Sequence, residues 1–212
     1  MSQDDFQVEP IEGLPERPPE GEQILWQGRP NWFALTRDSL SLYWILGYFG
    51  LLAIWRFVTV SDLLPFGQAL GATVPFLFLA LVVAALLMLF AVVQARATMY
   101  TVTNRRVVMR IGAALTLTLN LPYAQIANAM LDLRKSGTGT IAFETLGRTQ
   151  LSYLVLWPHL RPWYMRPTQP ALRCIPDAER VAALIADAAE ARVSTPRVAL
   201  KGSVPGVAVA AE

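Results

Sequence analysis

Charge is missing from a long stretch of this sequence: between Asp62 and Arg96 there is no acidic or basic side chain. Cysteine and histidine are nearly missing too, each occurring once, as Cys174 and His159. One cysteine excludes an intrachain disulfide and is consistent with a reducing compartment. One histidine excludes a multi-histidine metal centre, and without a cysteine pair no thiolates can replace it. Charged residues make up 16% of the chain and the net charge is +2. That balance is too near neutral to argue for nucleic acid as a partner.

The uncharged stretch has the length a bilayer asks for. A hydrocarbon core about 30 Å thick takes roughly 20 helical residues to cross. Residues 74–95 (VPFLFLALVVAALLMLFAVVQA) are apolar on every helical face. Residues 39–60 form a second apolar stretch, with no charge before Arg56, a side chain long enough to snorkel to headgroups from the span boundary. The sequence therefore predicts a two-span membrane hairpin. Arg29 and Arg37 precede it, and Arg96, Arg105, Arg106 and Arg110 follow it, whereas the connection carries only Asp62 besides Arg56. The positive-inside bias puts both termini in the cytoplasm. The leader is acidic and proline-rich (Asp4, Asp5, Glu9, Glu12, Glu16, Glu20), without the basic start or small-residue cleavage site of a signal peptide, so the hairpin is expected to be retained.

Beyond Arg96 the period changes from helical to two. Residues 99–103 and 107–111 read as strands around Thr103-Asn104-Arg105-Arg106. Leu115-Thr116-Leu117-Thr118-Leu119-Asn120-Leu121 alternates strictly, giving a strand one buried and one wet face. Residues 111–131 are also uncharged, which leaves a third membrane segment as the alternative. The threonines, Asn120, Pro122, Gln125 and Asn128 argue against it, because lipid would contact polar groups. Further strands are expected at 125–133, 140–144 and 151–156, with a turn at Ser136-Gly137-Thr138-Gly139. A helix follows Pro176-Asp177, with Asp177 placed to cap it and Val181, Leu184, Ile185 and Ala188 forming its apolar stripe. The expected fold is a membrane helical hairpin plus an α+β domain, a small antiparallel barrel or bent sheet closed by the C-terminal helix. Its parts are an acidic segment 1–38, the hairpin 39–96, the domain 97–192 and a tail 193–212 whose small residues, Ser, Pro and Gly predict disorder.

The phrase Tyr100-Thr101-Val102-Thr103-Asn104-Arg105-Arg106-Val107-Val108 resembles the opening hairpin of bacterial pleckstrin-homology-like domains attached to membrane hairpins. Leu121-Pro122 with Ile126, and Gly137-Thr138-Gly139-Thr140, resemble its later landmarks. Gly21-Glu22-Gln23-Ile24-Leu25-Trp26-Gln27-Gly28-Arg29-Pro30 resembles the segment such proteins carry before the first span. Three features look closer still to the photosynthetic-complex assembly proteins of purple bacteria: the leader FQVEPIEGLP at 6–15, the insert LWPHLRPWYMRPTQPALR at 156–173, and Cys174-Ile175-Pro176-Asp177. That resemblance implies a protein of the bacterial inner membrane, cytoplasmic or intracytoplasmic. It further implies a role in assembling the photosynthetic reaction centre without membership of the finished complex. The implied partners are reaction-centre subunits or assembly intermediates and membrane lipid, with homo-oligomers possible.

Enzyme signatures are mostly absent, so a non-enzymatic protein without cofactors is expected. Lys135-Ser136-Gly137-Thr138-Gly139 has phosphate-loop letters in the wrong order and reads as a turn. Asp132 and Glu144 fall where strands put polar groups into water and receive no catalytic role, and Cys174 reads as a small buried residue. The best candidate for a working surface is 157–167, which sets Trp157, Trp163, Tyr164 and Met165 beside Arg161 and Arg166 among Pro158, Pro162 and Pro167. Aromatics and arginine anchor protein interfaces, and prolines lower the ordering cost of binding. The same residues suit a loop resting on headgroups, or one folded onto its own domain. His159 could ligate a pigment magnesium, a subsidiary idea. Gly67 and Gly71, continued by Ala80 and Ala84, form a small-residue face for close helix approach. The alternatives to an assembly factor are a lipid-headgroup-binding module and an accessory subunit of another membrane complex.

Overall fold

The computed structural model describes residues 11, 13–14, 16–112, 116–134, 137–147 and 152–194. Most of the acidic leader, Leu115, Lys135, Ser136 and residues 195–212 of the expected tail lie outside them.

Two long helices form the hairpin: α2 (Leu42–Ser61) and α4 (Val74–Ala97), with a short α3 (Phe66–Gly71) in the connection. Both are long and apolar enough to cross a membrane, with mean hydropathy of 1.5 for Leu42–Ser61 and 3.2 for the stretch Phe66–Ala97. Little of either is buried, and Leu, Phe, Val and Trp side chains point outward around them. The core helix of a water-soluble protein would instead bury one stripe. α2 packs on α4, with Ala53 on one helix and Ala80 and Ala84 on the other buried.

A base precedes the hairpin. The single turn α1 (Trp32–Ala34) is capped by Asn31, whose Oδ1 accepts from the amides of Phe33 and Ala34 at 3.0 Å each. It runs into a π-helical turn, Leu35–Ser39. Ala34, Leu35 and Leu40 then bury themselves against Ala91 and Leu87 of α4 and against Cys174.

The rest is an α+β domain of two antiparallel four-stranded sheets. The first is ordered β1 (Ile24–Gly28), β2 (Met99–Thr103), β3 (Arg106–Ile111), β4 (Leu117–Pro122). The second is ordered β5 (Ile126–Leu133), β6 (Gly139–Thr145), β8 (Thr168–Ile175), β7 (Leu160–Met165). No strand pairing among the described residues joins the two, so the expected barrel is not closed. The core lies between them: Tyr100, Val102, Met109 and Leu121 from the first sheet meet Ile141, Phe143 and Leu172 from the second. Alternation works as read in β4, where Leu117, Leu119 and Leu121 pack on the core. α6 (Ala178–Ser194) closes one end with Val181, Ile185 and Ala188, while Leu184 is half-buried. Gly139 permits this: a Cβ there would stand 2.6 Å from the Ala178 Cβ and 3.0 Å from the Asp132 carbonyl oxygen.

Three expectations need correction. β1 comes from the segment before the hairpin, so the domain is not confined to 97–192. The strand expected at 151–156 is, over its described residues, a helical turn instead, α5 (Tyr153–Leu156), while Leu151 lies outside them. The insert expected as a loop contains β7, which forms a hairpin with β8 through Leu160 opposite Pro170 and Met165 opposite Thr168. β7 is an edge strand, where Pro162 has no ladder bond to spoil.

The two phrases that resemble the family are in contact. Asn104 Oδ1 accepts from the Gln23 amide at 3.0 Å and its Nδ2 donates to the Gly21 carbonyl at 2.9 Å. The nearly buried Glu22 carboxylate accepts from Arg106 Nε at 2.9 Å and from Thr103 Oγ1 at 2.8 Å.

Candidate interaction surface

Residues 157–167 divide into a buried half and an exposed half. His159 belongs to the first, with only 1% of its surface exposed. The Arg173 amide donates to the Tyr100 hydroxyl oxygen at 3.3 Å, and that hydroxyl lies 2.6 Å from His159 Nδ1. The phenol hydrogen is thus free to go to Nδ1, leaving the hydrogen on Nε2 to be donated to Thr98 Oγ1 at 3.1 Å. Burial, and secondarily the charge of Arg173, push the imidazole down from 6.5 to about 3. Both ring nitrogens are engaged inside the domain, so His159 is neither part of an exposed face nor available to a pigment.

Arg173 continues this seam toward the hairpin. Its Nε and Nη2 donate to Ser39 Oγ at 3.0 and 2.6 Å, and Nη2 also reaches the Asp38 carbonyl at 3.4 Å. The next carbonyl, of Cys174, accepts from the Asn31 amide at 2.8 Å. Cys174 is buried beside it, and that burial pushes its thiol up. Arg37 pairs with Asp38 at 2.9 Å. Sequence reasoning passed over Arg173, although an arginine inside the apolar run Ala171-Leu172-Arg173-Cys174-Ile175 was a usable signal, since such a charge is buried only with partners.

The exposed half lies on β7. Arg161 is held by Gln169 Oε1 and Met130 Sδ, both at 3.1 Å, and its guanidinium carbon stands 4.0 Å over the Tyr164 ring. Trp163 has φ 67° and is 89% exposed. A bulky residue in the left-handed region is an outlier that local structure must hold. Tyr164, Met165 and Arg166 are exposed beside it. Between β7 and the outer face of β5–β6 lies a cleft of about 340 Å³, lined by Asp132, Thr140, Arg161, Trp163, Tyr164 and Arg173 among others. Trp157 is separate from this group, stacked on Phe90 of α4 with ring centroids 5.7 Å apart.

The small-residue face also divides. Ala80 and Ala84 are buried, whereas Gly67 and Gly71 sit on α3 with open space where a Cβ would be. Among the described residues no cluster of three or more His, Cys, Asp or Glu side chains could hold a metal ion.

The model of the family described as Bacterial PH domain matches residues 41–189, more than half of the chain. This chain belongs to that family. The match takes in the hairpin and every strand but β1 of this bacterial PH domain protein. Among curated proteins it is similar to one from Rhodobacter capsulatus called "Uncharacterized 23.7 kDa protein in puhA 5'region". The two are 45% identical over 200 residues, covering 93% of this chain and 94% of the relative. No solved structure matches it.

Proposed function

We propose that this protein is a non-enzymatic membrane assembly factor for the photosynthetic reaction centre, of the PuhB type that its sequence resembles. The hairpin of α2 and α4 crosses the inner membrane with both termini cytoplasmic, and the bacterial PH domain docks a reaction-centre subunit or intermediate. The observation that carries the docking role is Trp163, almost wholly exposed in a left-handed backbone conformation beside the Arg161–Tyr164 stack. Aromatic and arginine side chains presented on a rigid strand are what protein interfaces use as anchors. The biological setting is supported by the sequence resemblance and by the relative, whose name places it in the puhA 5' region. Deleting the gene in a photosynthetic host tests the proposal. Reaction-centre absorbance should fall while subunit synthesis continues, and the intact gene should restore it; undiminished absorbance would refute the role.

The cleft under β7 favours a second reading, a headgroup-binding module, because the half-buried Arg161 lines it. Guanidinium groups suit a lipid phosphate. Binding of anionic vesicles that Arg161→Ala abolishes, with client capture intact, would favour this reading.

A further inference from the structure

Two exposed apolar patches, far apart in sequence, flank α4 at one height. On one side, α1 and the turn after it pack on α4 through the cluster containing Ala34, Leu35, Leu87 and Ala91, and leave Trp32 and Phe33 partly exposed, at 45% and 42%. On the other, Trp157 stacks on Phe90, and α5 just before it exposes Leu154 (86%) and Val155 (59%). Phe90 and Ala91 are adjacent, so helical geometry turns them about 100° apart around α4 at the same level. That level can be located. Phe90 lies sixteen residues beyond Val74, about 24 Å at 1.5 Å per residue, inside a hydrocarbon core about 30 Å thick. The first charge on α4 is Arg96.

We propose that Trp32, Phe33, Leu154, Val155 and Trp157 form a collar through which the domain itself is seated in the lipid, at the boundary between hydrocarbon and headgroups. The proposal rests on the hairpin's crossing the membrane. The collar continues the outward-facing apolar surface of α4, so its occupant is lipid rather than a protein. Charges at this level point elsewhere: Arg37 is paired with Asp38, and Arg173 is turned into the seam with Ser39. Two tryptophans at the interface suit the aromatic belt, where a ring with one polar edge is at home. An apolar turn such as α5, exposed to water, would be a liability; placed in lipid it is an anchor.

Nitroxide labelling of the full chain tests this, in vesicles of phosphatidylethanolamine and phosphatidylglycerol containing no other protein. Labels go at Phe33→Cys and Leu154→Cys in the collar, Leu81→Cys on α4, and Leu133→Cys on the exposed edge strand β5. Unsubstituted protein gives the background from buried Cys174. Collisions with oxygen should exceed those with a water-soluble nickel chelate several-fold at 33, 154 and 81, with the reverse at 133. A water-like ratio at 33 or 154 while 81 stays lipid-like overturns the collar and leaves the hairpin reading intact. Protection from both reagents at 33 and 154 means protein covers the face, which also overturns it. A water-like ratio at 81 overturns the membrane reading and the collar with it.

Discussion

The phenol oxygen of Tyr100 lies 2.6 Å from Nδ1 of His159, in the seam that joins the two sheets at the foot of α4. A histidine held neutral in this way makes stability depend on acid. Its pKa is about 3 in the folded protein and 6.5 as the ordinary value, so below pH 6.5 the unfolded chain takes up a proton that the folded chain refuses. Stability is flat in this respect above 6.5 and falls as pH drops toward 3. Between pH 7 and 5 the loss should be about 2 kcal/mol. Denaturation of the protein in detergent across that range checks this, with His159→Gln as the non-titrating comparison; equal slopes for both would contradict it.

How much of this was legible in the sequence depended on whether neighbours in the chain carried the signal. The hairpin was, because absence of charge over twenty residues is a local property. So were β2 and β3 around Asn104, β4 with its alternating leucines, and the stripe of α6. The second sheet was not fully legible. Pro158, Pro162 and Pro167 made 157–167 look like a loop, although an edge strand tolerates proline where no partner needs its amide. Leu151 to Leu156 is apolar enough for a strand, and a short apolar run does not distinguish strand from helix. The burial of His159 was invisible because its partners, Thr98 and Tyr100, lie some sixty residues away. Arg161, Trp163 and Tyr164 do lie together on β7, but which of the surrounding residues share their face was decided by the fold.

Arg173 should prove intolerant of lysine. Its Nε and Nη2 both donate to Ser39 Oγ, and an ammonium cannot reproduce that fork. Arg173→Lys should destabilise the protein by about 2 kcal/mol and speed hydrogen exchange at residues 35–39. Unchanged protection there would mean that the contact does not tie the domain to the hairpin.

In β4 the two faces should respond differently. Leu121 is buried among the core residues, and Leu121→Ala should cost about 2–5 kcal/mol. Thr118 points away from that core, and Thr118→Ala should change stability by no more than about 0.5 kcal/mol. Similar losses, measured by thermal melting of the two variants, would contradict the register.

The proposed topology rests on the arginines on either side of the hairpin. A reporter fused after Gly112 should be active only if it requires the cytoplasm, and one inserted at 62–71 only if it requires the periplasm. Periplasmic activity from the Gly112 fusion would reverse the orientation.

Client capture through the β7–β8 hairpin is tested most directly by measuring affinity for reaction-centre assembly intermediates with Trp163→Ala and Arg166→Ala combined. Both side chains are exposed, so folding and membrane insertion should be unaffected. Truncating anchors of this kind costs about 2 kcal/mol, roughly a thirtyfold loss of affinity. In a photosynthetic host, fewer reaction centres should then assemble at an unchanged level of the variant. Wild-type affinity and full assembly with the double variant would contradict a docking role for this surface.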